Sequence, residues 1–84
     1  MALRFDPDVS TAETAYGTVL LDERSGDYWE LNPTATLVVT TLLAGGDETA
    51  AADALVARFD IDRARAEQDV ASLVRELRES GLVR

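Results

Sequence analysis

The chain has no cysteine and no histidine, and only two prolines, one tryptophan and two tyrosines among its 84 residues. Without cysteine there is no disulfide framework, no thiolate nucleophile and no soft metal ligand. Without histidine the usual general base of a hydrolytic triad is missing. Asp and Glu remain as metal ligands, and nothing in their spacing resembles a calcium loop. Lysine is absent too: all eight basic residues are Arg, scattered singly against sixteen Asp and Glu, for a net charge of −8 and a pI near 4.2. A protein that holds phosphate backbones carries a basic stripe, so nucleic acid is not an expected partner. No apolar run reaches membrane-spanning length, and the start lacks a charged region followed by an apolar one. A cytoplasmic location and no membrane contact are therefore expected.

What is present fits a folded α+β unit. Apolar residues make up 46%, enough for one modest core, and a single domain over residues 1–84 is expected. There is no repeat, low-complexity tract or linker. Leu3 and Phe5 alternate and Pro7 interrupts, so the first strand is placed in the second half of residues 1–15, near Val9 to Thr14. Thr18 to Asp22 and Asp27 to Leu31 read as the arms of a hairpin turning at Glu23 to Gly26. Period two places Trp29 and Leu31 on the inward face of the second arm, with Tyr28 and Glu30 on the other. Pro33 stops that arm abruptly, which makes it short and a candidate sheet edge. Gly17 is assigned to a backbone bend.

Three helices follow with legible ends. Asn32 caps the first, with Pro33 at its first position and Gly45-Gly46 beyond its end. Its stripe is Ala35, Val38, Val39, Leu42 and Leu43. Asp47 or Thr49 caps the second, whose face is Ala51, Ala54, Leu55 and Phe59. Asp62 caps the third, which runs to about Ser80. Ile61 staples onto Ala66, and Gly81 suits the left-handed position that lets Leu82 meet Leu77. The stripe of the third helix is Ala66, Val70, Leu73, Val74 and Leu77. Val74 widens it on the flank that carries Glu67, Ala71 and Arg78, while Asp69 and Glu76 lie on the other flank. The extra width suggests a groove shared with the last strand.

Three kinds of chemistry compete for these features. Asp6 with Asp8 and Asp60 with Asp62 are carboxylate pairs, but they stand at turns and caps, where Asp serves the backbone. Gly45-Gly46-Asp47-Glu48 follows no strand and precedes no Lys-Ser/Thr, so it is not a phosphate loop. An enzyme is not expected, and no cofactor or metal is implied. A carrier protein needs a Ser opening a helix, and Ser10, Ser25, Ser72 and Ser80 provide none. Peptide binding by strand addition remains, with main-chain hydrogen bonds for affinity and side-chain pockets for selectivity. On composition alone it stands level with the plainer view that Trp29 and Leu31 are ordinary core.

The segments Tyr16-Gly17-Thr18-Val19-Leu20-Leu21-Asp22, Gly26-Asp27-Tyr28-Trp29-Glu30-Leu31-Asn32, Leu42-Leu43-Ala44-Gly45-Gly46, Asp69-Val70 through Leu73-Val74 to Leu77, and Gly81-Leu82 together resemble the PqqD-like family. Its members are recognition elements for precursors of ribosomally made, modified peptides. The resemblance covers about Tyr16 to Val83, and the chain looks most like the stand-alone leader-peptide-binding proteins of lasso-peptide biosynthesis. It implies a winged-helix-like fold, three antiparallel strands followed by three helices, and no catalysis. The precursor's leader would add as an antiparallel strand beside the third strand, in the groove against the third helix. It would then be presented to a cysteine leader peptidase and an ATP-dependent cyclase.

Carried onto this sequence, the backbone groups of Tyr28, Trp29, Glu30 and Leu31 would pair with the leader, and the Trp29 and Leu31 side chains would line or support its apolar pockets. Val70, Leu73, Val74 and Leu77 would form or support its pockets, and Arg78 would meet a polar or acidic leader side chain at the rim. Val74→Glu is then expected to abolish leader binding while the fold survives. Two alternatives are a chaperone of pyrroloquinoline quinone synthesis serving a radical enzyme and a winged-helix DNA-binding regulator.

Overall fold

In the computed structural model, which describes residues 3–83, β1 (Val9–Thr14) runs antiparallel to β2 (Gly17–Asp22), with Val9 opposite Asp22 and Thr14 opposite Gly17. β3 (Tyr28–Leu31) pairs with the other side of β2, Leu21 opposite Tyr28 and Thr18 opposite Leu31. The order β1-β2-β3 leaves β3 at an edge. The three helices follow in sequence, giving the expected α+β order of sheet first and helices after.

Gly17 determines how the hairpin meets the helices. Its φ is +147°, and a Cβ there would stand 1.9 Å from the Leu31 carbonyl oxygen. Only glycine allows the start of β2 to lie this close to the end of β3. One residue on, Asn32 leaves the sheet and caps α1 (Pro33–Leu43), its Oδ1 accepting from Ala35 N–H at 2.9 Å. α2 (Glu48–Arg58) is capped by Asp47 rather than Thr49, with Ala50 N–H donating to its Oδ1 at 2.8 Å. Asp62 caps α3 (Arg63–Glu79) in the same way through Arg65 N–H. Each cap satisfies a donor that the helix itself leaves open.

The end of α3 departs from the expected pattern. Gly81 is left-handed at φ +80°, but Leu82 N–H donates to the Ser80 hydroxyl, which donates in turn to the Leu77 carbonyl at 2.7 Å. The serine thus relays a bond that the backbone makes directly in a Schellman turn.

The core is assembled from every element. Leu20 and Leu31 come from the sheet, Val38, Val39 and Leu42 from α1, and Ala51, Ala52 and Leu55 from α2. α3 adds Ala66, Val70, Val74 and Leu77, and the chain's two ends add Leu3, Leu82 and Val83. Leu43, expected in the α1 stripe, is exposed at the last helical residue, and Ala52 rather than Ala54 is the buried neighbour of Ala51. The ends meet through a bridge between Phe5 and Val83 and through Asp6 N–H to the Leu82 carbonyl at 2.9 Å. Arg24 reaches Asp6, Asp8 and Asp22 at 3.4–3.8 Å, tying this first segment to the β2–β3 turn.

Val74 is only 8% exposed within this core. The fold is therefore not expected to survive Val74→Glu, because an ionised carboxylate would lie among apolar side chains without a partner. We expect a loss of about 3–5 kcal/mol, measured as a lowered urea midpoint; an unchanged midpoint would contradict the burial. Gly17→Ala is expected to destabilise by more than about 1 kcal/mol, seen as a drop in Tm, because its Cβ overlaps a backbone oxygen.

Candidate functional site

The site begins with backbone groups. Asp22 N–H donates to the Asp27 carbonyl at 2.9 Å, which makes these two a hydrogen-bonded pair. In an antiparallel ladder such pairs alternate with non-bonded ones. Trp29 opposite Leu20 and Leu31 opposite Thr18 therefore also spend their N–H and C=O on β2. Tyr28 and Glu30 direct theirs away from the sheet, so the outer edge of β3 offers two donors and two acceptors.

Side chains alternate the other way. Leu31 is buried and Trp29 half-buried against the core, on the face that looks toward the helices. Tyr28 is 64% exposed on the opposite face, beside its cross-strand partner Leu21. Trp29 and Leu31 thus share the helix-facing side, and Tyr28 faces away, as the alternation predicts.

Beyond the edge lies a groove. No Cα of α3 comes within 8 Å of a Cα of β3; α1 alone of the helices approaches β3 this closely. The space left between them is a cavity of about 530 Å³. Its strand wall is Trp29, Glu30 and Leu31, its floor Asn32 and Ala35 at the start of α1, and its helix wall Leu73, Glu76, Leu77 and Ser80. A second cavity of about 470 Å³ adjoins it and shares Asn32, Ala35, Leu73 and Glu76. It continues past Val38, Leu55 and Ile61 to Arg65 and Asp69. Together they form one channel running from the edge of β3 to the start of α3.

The helix wall is not the flank expected from the sequence. At about 100° per residue, Leu73, Glu76, Leu77 and Ser80 form a row centred on the Asp69 and Glu76 side. Leu73 and Leu77 line the groove as expected. Val70 and Val74 do not: both are buried behind it, where they pack the helix onto the core. Arg78, exposed, lies two residues beyond Glu76, about 200° further round the helix, and is absent from both cavities. The extra width contributed by Val74 is used by the core, which also receives Leu3, Leu82 and Val83 from the chain ends. Sequence reasoning missed Asn32, Ala35, Glu76 and Ser80. The recurrence of Asp69, Ser72, Leu73, Glu76 and Ser80 at three- and four-residue steps was the available signal.

Charges along the channel are unevenly matched. Arg65 pairs with Asp69 at 3.1 Å. Arg63, at the start of α3, hydrogen-bonds Glu67 at 2.8 Å and also Asp53 of α2. These bonds push its already high pKa further up, Glu67 contributing most, and the guanidinium stays a cation linking α2 to α3. Glu30 and Glu76 border the groove, both exposed, and among the described residues neither forms an ion pair or side-chain hydrogen bond. Among the described residues no group of three or more acidic side chains is placed to hold a metal ion, and no helix is long and apolar enough to cross a membrane.

The chain was compared with known proteins. No curated protein sequence matches it. A solved lasso peptide synthetase B1, complexed with the leader peptide, shares 44% identity and a TM-score of 0.93, over 100% of this chain and 99% of that one. TbiB1 in complex with the TbiA(beta) leader peptide shares 25% identity and a TM-score of 0.85, over 96% and 94% of the two chains. The family model described as coenzyme PQQ synthesis protein D (PqqD) matches residues 17–83, from the glycine that seats β2 against β3 to the valine that bridges to Phe5. The chain belongs to the PqqD family.

Proposed function

We propose that this protein binds the leader segment of a lasso-peptide precursor by antiparallel addition of a strand to β3. One observation carries the proposal: an unpaired strand edge faces a partly apolar helix wall across a gap with no close backbone approach. Neighbouring strands lie about 4.8 Å apart, and the cavity of about 530 Å³ beside β3 offers an extended segment space at that edge.

Tyr28 and Glu30 supply up to four main-chain hydrogen bonds, each worth about 1 kcal/mol net. These bonds carry no sequence information. Selectivity comes from the leader side chains opposite Trp29 and Leu31, which point inward onto Leu73, Leu77 and Ala35. Val70 and Val74 act from behind, by holding α3 in place. Antiparallel pairing turns the leader's N-terminal end toward Asn32 and the second cavity, and its C-terminal end toward Asp27. That two similar solved proteins are each complexed with a leader peptide supports this reading.

The role is delivery rather than catalysis, since the sequence has neither His nor Cys to act on a peptide bond. The bound leader is presented in the cytoplasm to a cysteine leader peptidase and an ATP-dependent cyclase, the partners that the family resemblance implies.

The test is fluorescence polarisation with the labelled leader peptide of the 44%-identical B1 complex. Leu73, half-buried at the groove, tolerates a charge better than Val74 does. Leu73→Glu is expected to weaken binding more than about tenfold with the urea midpoint little changed, as one buried apolar contact of about 1.5 kcal/mol is lost. Unchanged affinity would remove the groove from the site. Glu30→Pro deletes an outward N–H and no ladder bond. It should weaken binding about fivefold or more while circular dichroism stays native, and equal binding would exclude pairing at Glu30.

A further inference from the structure

We infer that the strand edge and its groove select leader segments bearing basic side chains, one beside Glu30 on the face away from the helices and one reaching Glu76 in the groove; the inference rests on the strand-addition reading above. Glu30 and Glu76 are the two charged residues bordering the cavity beside β3; Glu76 stands on its α3 wall, while the Glu30 side chain leaves the strand on the Tyr28 face. Among the described residues neither has a cation of its own. Glu30 stands opposite Val19 within the sheet, so no cross-strand arginine neutralises it. Asp69, further along the channel, is already paired with Arg65. The remaining arginines of α3, Arg75 and Arg78, line neither cavity. With a net charge of −8 on the whole chain, the field at this edge repels acidic peptides and attracts basic ones.

Strand geometry assigns each carboxylate a partner position. Tyr28 and Glu30 turn their backbone groups outward, so the leader residue facing Glu30 forms a hydrogen-bonded pair with it. That residue's side chain lies on the same face as the Glu30 side chain, within cross-strand reach. A Lys or Arg at this position meets the carboxylate directly. Leader residues two positions apart on the other face point inward, over Leu31 and Trp29 toward α3. Glu76 stands above that wall, between Leu73 and Ser80, and lines both cavities. A Lys or Arg there lays its aliphatic stem on Leu73 and Ala35 and brings its charge to Glu76.

The experiment is a charge scan of the leader peptide from the 44%-identical B1 complex. Each residue of its strand-forming stretch is replaced in turn by Lys and by Glu, and binding is measured by fluorescence polarisation at low and high salt. At the outward position and at one of the two inward positions, the Lys peptide should bind about three- to tenfold tighter than the Glu peptide, and the difference should shrink in 1 M salt. Glu30→Lys should reverse the preference at the outward position only, and Glu76→Lys at the inward position only. If Lys and Glu peptides bind equally at every position, while Leu73→Glu still weakens binding, the charge selection is overturned and the groove stands. If no peptide binds, or binding ignores Leu73→Glu, the strand-addition reading falls and the charge selection with it.

Discussion

The close approach of Gly17 to the Leu31 carbonyl governs the geometry of the whole edge. It permits β2 to begin where β3 ends, which sets the register that pairs Thr18 with Leu31 and Leu20 with Trp29. Because β3 ends there, Asn32 is free to leave the sheet and cap α1 one residue later. The chain then turns away from the edge, so no helix covers the outer side of β3. A side chain at residue 17 would overlap the Leu31 carbonyl oxygen and push the two strand ends apart.

An uncovered edge is a hazard as well as a site, because it can pair with any extended chain. Here the exposure is limited in three ways. β3 has four residues, Pro33 follows after one intervening residue, and the acidic rim repels other copies of a chain that is itself strongly acidic. The edge is thus open to a suitable peptide and poor for self-association. A helix wall that stands back from the strand gives that peptide a second surface to contact, so recognition need not rest on backbone bonds alone.

Much of the scaffold was legible before any coordinates. The caps Asn32 and Asp62 and the stop at Gly81 depend on local chemistry, and each lies where residue type and position predict; for the second helix local chemistry left Asp47 and Thr49 open, and the structure decides for Asp47. The facing of Trp29 and Leu31 follows from period two. The role of Phe5 was not legible, because its pairing with Val83 joins residues far apart in the chain and has no local signature. The flank of α3 that borders the groove was not legible either. Leu73 and Val74 are both apolar and lie on opposite sides of one stripe, and helical periodicity cannot say which side meets solvent.

By itself the sequence determined the elements, their ends and the inward and outward faces of β3, since these depend on neighbours within a few residues. It also determined the acidic charge that weighs against a nucleic-acid partner. Only the tertiary structure decided which side of α3 stands open. The two chain ends come together and bring Leu82, Val83 and Leu3 into the core that buries Val74, while Leu73, Glu76 and Ser80 are left facing the strand edge. The reason is packing: a core buries apolar surface wherever distant segments converge, and that convergence exists only in three dimensions.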